Sequence, residues 1–472
     1  MPGELLKPRS GTLPLKFIII GGSIAGLAAG YALRMGGHYV EILEQSDGTE
    51  RCFGGIRAPP NMTRILNDWG LRPLLDKVGV KCTGYDFFDG ETGEPLGVVR
   101  MHEQMMADLM ADFLFMQHGD LRRILFDAAL QAGVEFKYSM KVTKVDPDAV
   151  AVHLEDGQVR SADVIVGADG HQSIVRKSFM NPDYEQGTQD KHVALIMVIP
   201  AEVMQAHDDL KPLLTTQWSL WLGDNFFVHG SSIHSKQGYN INAFVPCKGQ
   251  LPNCQETWRT RCRVDELDID MDQFEPRLRK MFLLAKEAIP TAHTIRQPFD
   301  NYVSDSSGIV LVGEAAHPMM PNSSHNASMA IEDAATLGRL FSRIQHRDQI
   351  PRIMAAYEEL RQPRCAATIE YEWRKRVFFT LPRGEAQMAR NAGLREAMKR
   401  ESDDWDEIDE DYLQWKYERE LELFAHDALE IVDDWWTKWG ALVNRSSILN
   451  GSTHSGHPPP VEISVLRNGR IL

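Results

Sequence analysis

Cysteine is scarce in this chain of 472 residues: there are six cysteines, and none forms a C-x-x-C pair. Disulfide scaffolds and zinc sites use closely spaced cysteines, and here the histidines also lie apart. We therefore expect free thiols in a reducing compartment and no metal site. The six positions are Cys52, Cys82, Cys247, Cys254, Cys262 and Cys365.

Long apolar runs and an excess of positive charge are missing as well. The net charge is −15, which argues against a nucleic-acid partner and against binding to an anionic membrane surface. No run is long enough for an integral membrane span, and the first residues lack the apolar core of a signal peptide. We expect a cytoplasmic protein of two or three domains.

The chain does have a βαβ pattern at its start. Phe17–Ile20 is a short apolar strand, Gly21–Gly26 is a tight turn into a helix of small residues, and Tyr39–Leu43 is a strand that ends on Glu44. Such a unit presents helix N-terminal amides to a pyrophosphate and an acid to ribose hydroxyls. The candidate dinucleotide ligands are Gly21, Ser23, Gly26 and Glu44.

Ser23 departs from the G-x-G-x-x-G pattern, which has glycine at that place. Its Cβ adds bulk where a phosphate must approach the backbone, although its hydroxyl can donate to a phosphate oxygen. The unit does not distinguish FAD from NAD(P), and a structural turn without a ligand is the alternative reading.

Two further stretches of the first half carry candidates. Gly54 and Gly55 come just before Arg57 and allow a ligand to approach closely, with a plain turn as the alternative. The segment QHGD, which contains His118, leads into an amphipathic helix over Leu121–Ala132. Arg122 lies in the first turn, where an anionic ligand offsets the unfavourable dipole; a solvated basic pair with its neighbour is the alternative.

From about residue 191 to 294 the pattern changes to a mostly antiparallel sheet rich in aromatic residues. An acidic helical stretch over residues 264–287 follows the strands. The predicted strands are His192–Pro200, Trp218–Asp224, Phe226–His234 and Tyr239–Val245.

The dinucleotide pattern then returns. The apolar strand Ile309–Val312 leads into GEAAHPMMP, which contains Glu314 and Pro321, and a helix is predicted over Ala327–Phe341. Glu314 ends a strand and can hold ribose hydroxyls, and the N-terminus of the helix can face a negative charge.

Three motifs in a fixed order, GGSIAG with Glu44, VIVGADG with Asp169, and VLVGEAAHPMMP with Glu314, resemble the single-component FAD-dependent aromatic hydroxylases. This is the salicylate and 4-hydroxybenzoate hydroxylase family, and the chain looks most like its fungal secondary-metabolism members. The resemblance covers about Leu15 to Arg383.

The resemblance implies an α/β fold in which a Rossmann-like FAD-binding domain of the glutathione-reductase type carries an inserted, mostly antiparallel substrate sheet and C-terminal helices. The predicted domains are 15–190 and 296–382 for the two parts of the FAD-binding domain, 191–295 for the substrate-binding sheet, and 383–472 for the C-terminal helical segment and tail. Self-association through the acidic, aromatic C-terminal helices, or their packing on their own body, stays open.

Site roles follow from the resemblance. The first motif binds the ADP part of FAD, Asp169 serves both FAD and NADPH, and Glu314 lies at the ribityl and pyrophosphate region. Asn326 and Ala327 lie against the flavin ring, and Pro321 lines the face where oxygen reacts.

Besides Ser23, three positions depart from the family. Glu314 stands where aspartate is usual, Asn326 where glycine is usual, and His118 where an arginine contacts FAD. Arg122 can substitute for that arginine one helical turn further on.

The reaction implied by the resemblance begins when NAD(P)H reduces the flavin. O2 then adds at the flavin C4a to give a hydroperoxide, which attacks an electron-rich ring carbon of an aromatic substrate. A base that deprotonates a phenol would help. The catalytic candidates are His229, His234, Tyr239 and Pro321, with a structural or surface role as the alternative for the first three.

Some dearomatising members of the family that this chain resembles use an arginine on the strand before an Ile-Pro pair. The matching strand here, Val193–Val198, carries no arginine, which favours apolar contacts and a larger or prenylated phenolic or benzoic aromatic. Hydroxylation ipso to a carboxylate would release CO2, and the sequence does not separate the two reactions. The alternatives are an epoxidase or hydroxylase of a terpenoid or indole, and a non-catalytic homologue that binds flavin poorly.

Overall fold

The computed structural model describes residues 13–49, 53–185, 187–246, 261–299, 301–321, 323–400 and 420–449. Their strands are β1 (Lys16–Ile20), β2 (Tyr39–Leu43), β3 (Gly55–Ala58), β4 (Val80–Lys81), β5 (Gly84–Asp89), β6 (Pro95–Arg100), β7 (Leu114–Gln117), β8 (Glu135–Lys137), β9 (Val142–Asp146), β10 (Ala151–Leu154), β11 (Val159–Ser161), β12 (Val164–Gly167), β13 (Thr188–Pro200), β14 (Trp218–Leu222), β15 (Phe227–Ile233), β16 (Gly238–Pro246), β17 (Cys262–Arg263), β18 (Glu287–Ile295) and β19 (Ile309–Leu311).

The helices are α1 (Ile24–Met35), α2 (Pro60–Asp68), α3 (Arg72–Val78), α4 (Glu103–Asp108), α5 (His118–Ala132), α6 (Ile174–Lys177), α7 (Ala201–Gln205), α8 (Pro276–Ala285), α9 (Asn326–Phe341), α10 (Ile350–Phe379), α11 (Glu385–Met398) and α12 (Ala428–Leu449). Among them, no helix is both long and apolar enough to cross a bilayer.

A five-stranded parallel sheet forms the first layer, in the spatial order β19-β12-β1-β2-β8. Strand β1 lies at its centre and is buried from Phe17 to Ile20, which explains why its sequence is apolar without alternation. Helices α1 and α9 cross closely beside the sheet, because a Cβ added at Gly338 would lie 2.6 Å from the Cβ of Ala32. The predicted α/β architecture is confirmed.

An eight-stranded sheet forms the second layer, in the order β17-β18-β13-β16-β15-β14-β5-β6. All its pairs are antiparallel except β14 with β5. The hairpin of β5 and β6 comes from the range 15–190, so the chain enters this sheet before the range 191–295 begins. The domain boundaries stay a prediction.

The two faces of the large sheet have different coverings. One face packs under α8 around Trp221, Tyr239 and Phe282. The other faces the end of α10 and the segment 420–424, with Trp218, Phe227 and Phe379 in its core. The stretch predicted to be helical over 264–287 is helical in part. It contains 3-10 turns over Val264–Glu266 and Met271–Gln273 and then α8, whereas residue 287 already belongs to β18.

Helix α10 joins the two layers. Its first half packs in the core of the parallel sheet through Ile353 and Tyr357, and its last residue, Phe379, packs against the large sheet. Arg361 lies between these ends and is buried in ion pairs with Glu332 (2.6 Å) and Asp333 (2.7 Å) of α9.

The C-terminal segment packs back on both layers. Residues 420–424 are helical, and Asp427 then accepts from the amides of Leu429 and Glu430 at the start of α12. Arg339 of α9 pairs with Asp433 of α12 at 2.5 Å. Residues 401–419 of the predicted C-terminal helical segment, and the tail 450–472, lie outside the described residues.

Candidate active site

The turn after β1 needs its glycines. Gly21 has φ +103°, and a Cβ there would lie 2.4 Å from the carbonyl oxygen of Ala168. A Cβ at Gly26 would lie 1.9 Å from the carbonyl oxygen of Gly21. Ser23 precedes α1 with an exposed side chain that makes no capping hydrogen bond to the described helix. The N-terminus of α1 therefore keeps its positive end toward a ligand.

Glu44 and Arg122 bracket this turn. The Glu44 carboxylate accepts from the amides of Gly22 (2.7 Å) and Ser46 (2.8 Å), while Arg122 Nε donates to the carbonyl of Gly22 (3.2 Å). The turn thus has a carboxylate and a guanidinium that both bond to the backbone of Gly22. The contact of Glu44 with a ribose, and that of Arg122 with a phosphate in place of the missing family arginine, stay predictions.

His118 contributes no charge. Its ring Nδ1 is buried without a hydrogen-bond partner among the described residues. Burial, reinforced by the Arg122 guanidinium, lowers the pKa of His118 to about 4, so the ring is neutral at physiological pH. A neutral imidazole beside the turn can exchange one hydrogen bond with a ligand, whereas the cation in this region comes from Arg122.

Asp169 and Glu314 follow β12 and β19, two neighbouring strands on the side of β1 opposite β2. The Asp169 carboxylate accepts from the amides of Ile174 (2.8 Å) and Val175 (3.2 Å), so it caps α6. Asn326 Nδ2 donates to Glu314 Oε1 at 3.3 Å, and Asn326 Oδ1 is buried without a partner in the described chain. Ala327 follows in the first turn of α9.

These residues fit FAD. The glycine turn excludes side chains where a pyrophosphate must approach, and two buried polar atoms, His118 Nδ1 and Asn326 Oδ1, await partners. Gly21–Gly26 would hold the pyrophosphate, Glu44 the ribose, and Glu314, Asn326 and Ala327 the ribityl and ring parts.

The group His317, Asp333 and Cys365 has metal-like spacing, with its ligand atoms within 4.8 Å. The Asp333 oxygens already accept from His317 Nε2 (2.6 Å), Arg361 Nε (2.7 Å) and the Gly313 amide (2.8 Å). We therefore interpret this group as part of the buried ion-pair core between α9 and α10.

A second group of candidate residues, Gly55, Arg57 and His229, lies at the large sheet. The Gly55 amide donates to Asn240 Oδ1 at 2.7 Å. Arg57 Nη2 donates to the Ser323 carbonyl at 2.8 Å, and Nη1 lies 3.4 Å from His229 Nε2. The pKa of His229 is held well below its ordinary value by burial and by Arg57, so Nε2 can accept from the guanidinium.

Pro321 is buried two residues before Ser323, in the loop that leads to α9. His234 lies at the end of β15, where its Nδ1 is 2.6 Å from Asp120 of α5. Tyr239 does not lie in this second group, because it is fully buried on the opposite face of the sheet, in the core under α8. Its position separates it from His229 by the thickness of the sheet.

A cavity of about 400 Å³ opens between the large sheet, α10 and residues 420–424. Its wall is mostly aromatic and apolar, with charged groups of α10 on one side. The lining residues are Tyr85, Phe87, Val99, Met101, Met105, Phe113, Trp218, Leu220, Ser324, His325, Tyr371, Arg374, Lys375, Phe378, Phe379, Glu420, Leu421 and Phe424.

A polar cluster at this cavity, formed by His325, Glu372 and Lys375, was not predicted from the sequence. Glu372 Oε1 lies 2.6 Å from His325 Nδ1, accepts from the Ser324 amide (3.1 Å), and pairs with Lys375 Nζ (3.0 Å). Burial opposes the charge of Glu372, yet Lys375 and His325 lower its pKa to about 2. The spacing of Glu372 and Lys375, i and i+3 on a helix, was a signal for an ion pair but not for its contact with His325.

Comparison with known proteins identifies the family of this chain. A family sequence model described as FAD binding domain matches residues 15–372. The chain belongs to this FAD-binding family.

The chain aligns with individual relatives over most of their length and most of its own. The chain is 27% identical over 438 residues to the FAD-dependent monooxygenase OpS4 of Beauveria bassiana (strain ARSEF 2860), over 89% of this chain and 97% of that protein. It is 25% identical over 406 residues to the 3-amino-4-hydroxybenzoate 2-monooxygenase of Streptomyces cremeus, over 86% and 95%. The fold is similar to that of CtdE, solved in complex with FAD and substrate 4, with a TM-score of 0.71 and 17% identity over 92% of this chain and 100% of that one.

The family predicted from the three motifs is therefore confirmed, and with it FAD as the cofactor and the class of FAD-dependent monooxygenases. The roles of the individual site residues stay predictions.

Proposed function

We propose that the chain uses NAD(P)H and O2 to hydroxylate a phenolic or benzoic aromatic compound, which it binds in the cavity walled by Trp218, Phe113 and Phe424. The cavity carries this proposal, because it lies next to residues 324–327, where the predicted flavin contacts begin. Its volume of about 400 Å³ is at the lower end of the range for small-molecule sites, about 300–1,000 Å³. That size favours one or two rings over a large polycyclic terpenoid.

When bound, FAD supplies the redox chemistry, taking a hydride from NAD(P)H and activating O2 for transfer of one oxygen atom. The protein residues bind, orient and exclude water. Aromatic walls hold a ring by edge-to-face contacts, as Phe113 already does with Phe424 at 5.9 Å between centroids. When such a wall encloses the substrate, it excludes water and so limits the loss of activated oxygen before its transfer.

Cations beside the cavity can recognise an acidic group of the substrate. Arg374 and Lys375 line the cavity and are each paired with a glutamate of α10, Glu370 and Glu372, and Glu420 lines it as well. A phenolate or a carboxylate can accept charge-assisted hydrogen bonds from these cations. A carboxylate on the attacked carbon would make the reaction an oxidative decarboxylation. The cytoplasmic location and any self-association stay predictions.

The test starts with the visible spectrum of the purified protein loaded with FAD. NADPH and NADH are then added in air with and without a panel of phenols, hydroxybenzoates, indoles and terpenoids. We expect phenolic substrates to accelerate nucleotide oxidation and to yield products heavier by one oxygen atom. Where the carboxylate is lost, the product gains one oxygen atom and loses CO2, so that its net mass loss equals the mass of CO. FAD-loaded protein whose oxidation rate no aromatic changes, but which oxygenates a terpenoid, would contradict the proposal.

A further inference from the structure

His325 is the N-cap residue of α9 and lines the proposed substrate cavity. Its ring lies among cavity-lining aromatics, with centroids 5.9 Å from Tyr371 and 6.5 Å from Phe424. The residue is 2% exposed, and its Nε2 is buried without a hydrogen-bond partner in the described part of the chain. A buried polar atom in a cavity wall calls for a partner, and here a substrate in the cavity would supply it.

The tautomer of His325 follows from Glu372. Because the pKa of Glu372 is about 2, its carboxylate is ionised and can only accept, so the proton of the neutral ring sits on Nδ1. Burial, the largest effect, lowers the pKa of His325 below its ordinary value, although Glu372 opposes this. The ring is then neutral, with the lone pair of Nε2 on the side away from Glu372.

The surrounding charges favour proton uptake only when an anion forms. Glu372 faces His325 from α10 and stabilises an imidazolium, whereas Lys375 and Arg364, also on α10, disfavour it. Arg57 approaches from β3, through the carbonyl of Ser323 and within electrostatic range of Glu372. Protonation of His325 alone is therefore unfavourable. When the proton comes from a phenol, the phenolate that remains lies beside Lys375, and this charge pair offsets the cost.

We propose that His325 is a catalytic base that takes the proton of a phenolic hydroxyl of the substrate, with Glu372 as the positioning residue that orients its ring. The substrate O–H bond breaks, the proton forms an N–H bond at Nε2, and the electron pair stays on the phenolate oxygen. Phenolate is the better nucleophile toward the transferred oxygen atom. This inference rests on the proposed function and narrows its substrate class to aromatics with a free phenolic hydroxyl.

Proton transfer is tested without turnover by binding 4-nitrophenol, whose anion absorbs at longer wavelength than the neutral form. The FAD-loaded protein is titrated with this probe below the probe's own pKa. We expect wild-type protein to bind it as the anion and His325→Gln to bind it as the neutral phenol. His153→Gln, the same change on β10, is the control and should behave as wild type. A probe that is anionic in both, or neutral in wild type, overturns the proposal.

Turnover gives the second measurement. Removal of a general base typically costs about 10²–10⁴-fold in rate, so His325→Gln should lose that much in kcat/KM for a phenol and should lose the acid limb of the pH profile. Glu372→Gln should keep FAD and shift that limb, as expected of a positioning residue. A His325→Gln protein that keeps FAD, rate and pH profile contradicts the base role.

The two proposals fail differently. If no phenol is oxygenated by FAD-loaded wild type, the proposed function fails, while the ionisation of bound nitrophenol still decides the base. If His325→Gln loses FAD or folds poorly, Glu372→Gln and the wild-type probe spectrum decide instead.

Discussion

Both ring nitrogens of His38 are used in its neutral state. The Leu15 amide donates to Nδ1 (3.3 Å), and Nε2 donates to the carbonyl of Phe341 (3.1 Å). This joins β1 to the end of α9 through a residue that is 1% exposed. Protonation of Nδ1 would remove the acceptor for Leu15, and burial lowers the pKa of His38 to about 4.

We therefore expect His38 to make stability depend on pH. As the pH falls below 6.5, the unfolded chain binds a proton at this position while the folded chain does not until about pH 4, so stability is lost across that window. At pH 5 the loss from this residue is about 2 kcal/mol, at 1.36 kcal/mol per pKa unit.

Denaturant unfolding between pH 8 and 5 measures this effect. His38→Gln should flatten the slope of the unfolding free energy against pH, whereas His153→Gln, at a half-buried position on β10, should leave it unchanged. Equal slopes in wild type and His38→Gln would rule out His38 as the source.

The crossing of α1 and α9 depends on a missing side chain. A Cβ at Gly338 would lie 2.6 Å from Ala32 Cβ and 2.9 Å from the Ala32 carbonyl oxygen. Gly338→Ala should therefore lower the unfolding free energy by about 1–3 kcal/mol through overpacking. It should also weaken FAD binding, because α1 carries the turn Gly21–Gly26.

A matched substitution separates packing from helix propensity. Gly393 lies in α11 with open space around its Cβ position. Gly393→Ala should leave stability unchanged or raise it by up to about 1 kcal/mol. Thermal shift and FAD titration compare the two variants, and a loss of the same size in both would contradict the packing argument.

Elements with a strong local signal could be predicted from the sequence. The unit β1-α1-β2 and the late helix agree with the structure to within one or two residues at most bounds, because apolar periodicity and turn residues are local. The pairing of β14 with β5 could not, since it joins Trp218 to Tyr85 across more than a hundred residues.

Candidate site residues that belong to sequence motifs could be predicted, whereas those whose position depends on strand register could not. His229 pairs with Asn242, so Tyr239, three residues from Asn242, points to the other face. Single-sequence patterns do not contain that register. The contact of Glu372 with His325 likewise depends on how α10 lies across the loop before α9, which is a tertiary property.

Helix α10 links the two sheets through contacts with both, and we therefore expect the sheets to unfold together. Helix α10 contributes Tyr357 to one core and Phe379 to the other. Near its end, Arg376 Nη2 donates to Asp190 of β13 at 2.7 Å, and the pKa of Asp190 is far below its ordinary value through His192, His293 and Arg376, despite its burial.

Calorimetry should therefore show one unfolding transition, with equal calorimetric and van't Hoff enthalpies. FAD at about 100 times its dissociation constant should raise stability by about 2.7 kcal/mol and move that single peak intact. Two peaks, with FAD shifting only one, would contradict this coupling.

The proposed substrate cavity takes part of its wall from beyond residue 372, where the FAD-binding family match ends. Arg374, Lys375 and Phe378 come from the last turns of α10, and Leu421 and Phe424 from the segment before α12. Mutations there can alter which molecule is accepted while the dinucleotide turn keeps its sequence. This part of the wall can therefore vary independently of the dinucleotide turn, so a lineage can acquire new substrates without rebuilding that turn.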